Sequence, residues 1–183
     1  MNTKEPATTH SFPDMSERVW LQKNRHYPRI DETKMQSIFY FGLIWNLFER
    51  ECCENFATIT IHPRELADVF TESLPLELIT PIFEYFKDRY IHNDKPNTIF
   101  KNFRFGPNGN SGAEYKGFVQ DALMDDPFHK RRAVQALLYI AFRLRNNLFH
   151  GEKEINTLYQ QNESFKHINR LLMAIIQLKQ CVK

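Results

Sequence analysis

Near its C-terminus the sequence reads LLYIAFRLRNNLFHGEK, from Leu137 to Lys153. An apolar run gives way to Arg143, Arg145, Asn146, Asn147 and His150, and Gly151 follows. These residue types suit chemistry at a phosphate ester. Histidine moves protons near neutral pH. Arginine presents a rigid fork of donors to phosphate oxygens and to the charge that grows on them during reaction.

A helix must position this set. Pro127 is suited to its first turn and Gly151 to its end. On a wheel of about 100° per residue, Val134, Leu137, Leu138, Ala141, Leu144 and Leu148 fall in one apolar stripe, the core face. Tyr139, Arg143, Asn146 and His150 line the opposite face. Arg145 sits at the border of the stripe, beside Ala141 and Leu148. Burying an arginine without a partner is costly. A carboxylate or a strongly polar surface must therefore face it: Glu49, Glu51 or Glu54 on an earlier helix, or the polar surface of a second copy of the chain.

The hexapeptide RNNLFH, Arg145 to His150, resembles the signature of the HEPN superfamily: an arginine, a polar residue, three further residues and a histidine. The setting is similar too, since the motif of that family lies late in a helix of a small all-α bundle. The resemblance implies a metal-independent endoribonuclease that works as a homodimer, with two motif helices facing each other to form one composite site. It implies Arg145 and His150 as catalytic residues and Asn146 as the residue that orients them, with no cofactor. Arg143 satisfies a longer variant of the spacing, and Asn147 and Glu49 are supporting candidates. It also implies a toxin or phage-defence effector, restrained by an antitoxin or a sensor protein. Some members modified by a nucleotidyltransferase carry a tyrosine two residues after the histidine; here that position is Glu152.

The chemistry suits RNA. The 2′-OH is a built-in nucleophile, so cleavage to a 2′,3′-cyclic phosphate and a 5′-OH needs a proton carrier and cationic donors. At a helix C-terminus His150 feels the negative end of the dipole, which favours its charged form. The neighbouring arginines act the other way.

The rest of the chain must build the scaffold. At 183 residues it fits one domain, with an apolar fraction of 42% that supplies a core. Six glycines in the whole chain, with abundant Leu, Phe, Glu, Lys and Arg, point to helices. A net charge of +2 excludes a bulk polycation while leaving room for a local basic patch. Cys52, Cys53 and Cys181 form neither an even disulfide framework nor a Cys-x-x-Cys pair, which fits a reducing cytoplasm. We read no signal peptide and no membrane span. No His-x-His, His-Glu-x-x-His or spaced carboxylate set suggests a metal.

Residues 1–30 read as a polar arm, docked by Trp20 and Leu21, ahead of a single helical domain over 31–183. Asp31 to Phe56 predicts a helix apolar on almost every side, suited to face both the core and a partner. Helices follow around Pro63 and from Leu76 to His92. A long basic and aromatic loop then spans Asn93 to Gly117, with a hairpin expected around FRFGPNGN. A short helix precedes Pro127, and the last helix shows an apolar face of Leu158, Phe165, Ile168, Leu171, Leu172, Ile175, Ile176 and Leu178. Together these predict an all-α bundle of four to six helices, the long ones antiparallel, with a long irregular loop. Lys101, Arg104, Lys130, Arg131 and Arg132 are candidate RNA-backbone contacts, or else solvated surface. Phe103, Phe105 and Tyr115 stack on bases or fold the loop onto the core. The rival to the ribonuclease is a non-catalytic helical module that binds a nucleotide or a protein.

Overall fold

The computed structural model describes residues 16–23, 31–105, 112–149 and 155–181. The fold is all-α with one small hairpin. In chain order come α1 (Glu17–Lys23), a single 3-10 turn (Glu32–Lys34), α2 (Gln36–Cys52), α3 (His62–Phe70), α4 (Leu76–Tyr90), strands β1 (Ile91–His92) and β2 (Lys95–Pro96), α5 (Thr98–Lys101), α6 (Ala113–Met124), α7 (Lys130–Phe149), α8 (Ile155–Tyr159) and α9 (Asn162–Cys181). Among the described residues, α2, α3, α4, α6, α7 and α9 are the helices of nine residues or more, and they form the bundle.

Each long helix forms because its apolar residues recur at helical spacing. Ile38, Phe41, Trp45 and Phe48 give α2 one buried stripe, and Phe165, Ile168, Leu172, Ile175 and Ile176 give α9 another. The two stripes meet at Phe41 and Phe165, whose ring centroids lie 4.8 Å apart. The Ser37 N–H donates to Asn162 Oδ1 at 3.2 Å, and Asn169 Nδ2 donates to the Ser37 carbonyl at 2.8 Å. At their other ends Cys52 of α2 and Lys179 of α9 line the same groove. The two helices are therefore parallel, which corrects the antiparallel expectation. Apolar periodicity sets which face is buried; it carries no information on direction. The intervening helices return the chain to the end from which α2 starts.

The Cys53 N–H and the Asn55 N–H both donate to the Glu49 carbonyl, at 3.1 and 3.0 Å, closing α2. Glu54 and Asn55 adopt left-handed backbone there. This closure fixes the last turn of α2, which carries Glu49. Cys53 is buried beneath it, and burial pushes its thiol up to about 12.

Helix α7 runs through the centre. Every residue from Ala133 to Phe142 is buried, because α3, α4, α6 and α9 all pack against it. The helix begins at Lys130, so Pro127 lies in the preceding turn and not at the first helical position.

The expected long loop is mostly ordered structure. Asn93 and Asp94, both at positive φ, form the two-residue turn that joins β1 and β2. Asn97 caps α5 by accepting from the Phe100 N–H at 3.1 Å, and its amide donates to the Arg89 carbonyl at 2.7 Å. This hairpin lies ahead of the one expected around FRFGPNGN, whose centre falls outside the described residues. The last predicted helix is two, α8 and α9, separated by a turn at Gln160 and Gln161. Of the residues expected to dock the arm, Trp20 is 56% exposed on α1 and Leu21 is half-buried, and Arg18 pairs with Glu32 at 3.3 Å. Among the described residues no helix is long and apolar enough to cross a membrane.

His167 on α9 stacks on Tyr85 of α4, with centroids 4.2 Å apart. The Tyr85 hydroxyl shares a 3.0 Å hydrogen bond with the buried Ser164 hydroxyl. Burial holds the His167 imidazole below its ordinary value; Glu163 opposes this, and Arg170 and Lys166 reinforce it. As pH falls below 6.5, the unfolded chain takes up a proton at this position before the folded one does. Stability from this site is therefore full above that value and is lost as pH falls through the lower, folded value. Denaturant midpoints of the wild type should drop on acidification, and those of His167→Gln should drop less. An identical pH dependence for both would contradict this.

Candidate functional site

The last turns of α7 carry Arg143, Arg145, Asn146 and Asn147, each half-buried. His150, with Gly151 and Glu152, lies outside the described residues. Arg143 and Arg145 leave the helix about 200° apart, so they reach different neighbours.

Arg145 faces α2. Its Nη2 is 4.0 Å from Glu49 Oε1, with side chains 39% and 23% exposed. Its guanidinium carbon is 5.9 Å from the centroid of the Trp45 ring, and its Nη1 donates to Asn146 Oδ1 at 3.2 Å. Trp45 and Glu49 are one turn apart on α2 and so share a flank. Trp45 is itself fixed edge-to-face against Phe142 of α7, at 5.0 Å. The arginine thus rests on a buried aromatic ring with a carboxylate at its rim. Of the three candidate carboxylates, Glu49 is the one placed opposite it. Arg50 engages Glu51 at 3.1 Å, and Glu54 lies beyond the end of α2.

Arg143 faces the other way. Its guanidinium carbon is 5.4 Å from the Phe103 centroid. Phe103 and Phe105 are buried, edge-to-face at 5.2 Å, and Phe103 also packs on Tyr90 and Phe100. Tyr115 stacks on Tyr139 at 5.1 Å. Of the two readings of these aromatics, base stacking is excluded for Phe103 and Phe105, whose faces are covered by the core. Tyr139, expected beside Arg143 on an outer face, is also buried, because α6 covers that side with Tyr115 and Phe118. A wheel drawn for α7 alone does not contain α6.

The basic candidates divide into two groups. At the start of α7, Lys130 donates to the Glu72 carbonyl, Arg131 pairs with Asp68 at 2.5 Å, and Arg132 pairs with Asp125 at 2.5 Å. The Arg131 guanidinium holds the Asp68 carboxyl below its ordinary value. Arg132 also lies over the Phe118 ring at 5.0 Å. These three cations have partners within the chain, about 22 Å along the helix from Arg145. They tie α7 to α3, to the residue Glu72 after it and to the end of α6. Lys101 and Arg104 are exposed, and they lie near the Arg143 end.

Sequence reading missed Trp45 as a neighbour of Arg145 and Lys116 as a neighbour of Phe100. Trp45 was legible as the residue one turn before Glu49. Lys116 is brought in by α6, which no local pattern ties to α5. Among the described residues no cluster of three or more His, Cys, Asp or Glu side chains is placed to hold a metal ion. Compared with known families, curated proteins and solved structures, the chain matches none.

The pocket for Arg145 predicts unequal sensitivities. Glu49→Ala should cost under about 1 kcal/mol in denaturant unfolding, as a half-exposed pair does. Trp45→Ala should cost about 3–5 kcal/mol, because it empties the contact between α2 and α7. Equal losses would show that the pair, and not the ring, holds the site.

Proposed function

We propose that the protein is an endoribonuclease of HEPN type that cleaves RNA through the 2′-OH without a metal, leaving a 2′,3′-cyclic phosphate. The observation that carries this reading is Arg145: an arginine of the RNNLFH motif held half-buried on a tryptophan ring, with Asn146 bonded to it. In this reading its fork neutralises the scissile phosphate and His150 moves the protons. Asn146 orients the guanidinium. Glu49 acts as the positioning residue that keeps it at the surface of α2.

A homodimer completes the site. Phe39, Tyr40 and Leu43 lie on the outer face of α2 and are 54%, 54% and 72% exposed. That apolar face is suited to a second copy docking on α2. Because α7 is buried from Ala133 to Phe142, its last turns are the part of the motif helix next to α2 that such a partner can reach. A toxin or phage-defence role, with an antitoxin or sensor as restraint, is consistent with a nuclease of this kind. The pairing of Arg145 with Glu49 favours a second reading, a non-catalytic module in which the arginine is structural.

Cleavage of a mixed RNA substrate in EDTA separates the two. The wild type should yield cyclic phosphate ends, while Arg145→Ala and His150→Ala should lose at least about a hundredfold in rate and remain folded. Activity surviving in both variants would contradict the reading.

A further inference from the structure

The aromatic cluster behind the motif carries cations from separate segments on its surface. Tyr90, Phe100 and Phe103 pack with centroids 5.0 to 5.9 Å apart. Lys116 Nζ of α6 stands 5.6 Å from the Phe100 centroid, and the Arg143 guanidinium of α7 stands 5.4 Å from that of Phe103. Two helices thus set positive charge on adjacent rings. Lys116 is fixed further, since its ammonium donates to the Lys101 carbonyl at 2.6 Å. Lys101 and Arg104 follow Phe100 and Phe103 in sequence, and both are exposed.

Among the described residues, Lys101, Arg104 and Lys116 join no ion pair. This sets them apart from Arg131 and Arg132 at the other end of α7, where each guanidinium meets a carboxylate. Burial also holds the Lys116 ammonium below its ordinary value. A cation that has lost water without gaining a carboxylate is favoured by an incoming anion. An ammonium has three donors, and the Lys101 carbonyl takes one.

We infer that Lys101, Arg104, Lys116 and Arg143 form a phosphate track that carries the backbone of single-stranded RNA to the motif on α7. That the polymer is RNA rests on the ribonuclease reading. The cations come from α5, the segment after it, α6 and α7 and converge on no single point, which suits a strand more than a single small anion. The rings beneath them are covered, so they offer no face to a base. Binding through this track is therefore electrostatic, indifferent to base identity and strongly dependent on salt.

The test uses the full chain and a 2′-O-methyl oligonucleotide, which lacks the nucleophile and stays intact. Its affinity is read by fluorescence anisotropy across a range of salt. Lys101→Ala/Arg104→Ala should weaken binding about tenfold at low salt and reduce the salt slope by roughly 1.4, two single-strand phosphate contacts. Lys116→Gln should weaken it in the same direction. Lys130→Ala should bind as the wild type does, and thermal melts should show all variants folded. Unchanged affinity and slope in the double and Lys116 variants would overturn the inference. So would a wild type that ignores the oligonucleotide but sediments with phosphatidylserine vesicles, which would assign the cations to a lipid surface.

The two proposals fail separately. Cleavage by a wild type whose binding ignores these cations would leave the ribonuclease standing and remove the track. Cation-dependent binding with no cleavage in the wild type would keep the track and remove the ribonuclease.

Discussion

An arginine at the edge of a hydrophobic core has to be solvated by the protein itself, and Arg145 sets that constraint here. Its guanidinium cannot enter the apolar stripe of α7 without a counter-charge, and the last turn of α2 supplies one. The solution has three parts. Trp45 offers a ring face, Glu49 offers a carboxylate one turn later, and Asn146 accepts from the fork. Each depends on something larger. The ring is in place because Trp45 packs edge-to-face on Phe142. The carboxylate is in place because α2 continues to Cys52 before its carbonyls are closed. And α2 holds its register through Phe41 on Phe165 and through the two asparagines that bracket Ser37.

The same helix is electrostatically divided. At its start, Asp68 and Asp125 neutralise Arg131 and Arg132 and tie α7 to its neighbours. At its end, Arg143 rests on an aromatic ring, close to lysines and an arginine that join no ion pair among the described residues. Arg145 at the same end is paired with Glu49, so it is Lys101, Arg104 and Lys116 that meet no carboxylate among the described residues. The proposed binding of a phosphate backbone draws on these three.

Some of this was legible in the sequence. The all-α class, the buried stripes of α2 and α9, and the need of Arg145 for a carboxylate on α2 all follow from periodicity and the cost of burying charge. Other features were not legible, for identifiable reasons. The parallel course of α2 and α9 is a matter of chain direction, which a stripe does not encode. Tyr139 is buried by α6, a helix that contributes nothing to the α7 wheel. The carboxylate partners of Arg131 and Arg132 sit 63 and 7 residues away, and no local pattern announces them. The turn at Asn93 and Asp94 is short and polar, and it was absorbed into what read as one long loop. Lys116 becomes a neighbour of Phe100 only once α6 has packed.

In the proposed enzyme Arg145 and His150 act together in one composite site, to which both copies of the chain contribute. Co-expression of Arg145→Ala and His150→Ala chains under different tags, with purification through both, isolates the mixed dimer. That dimer holds one intact arginine and one intact histidine, on opposite chains. The account predicts that it regains RNA cleavage in EDTA that neither variant shows alone. A mixed dimer that forms, folds and stays as inactive as its parents would contradict it.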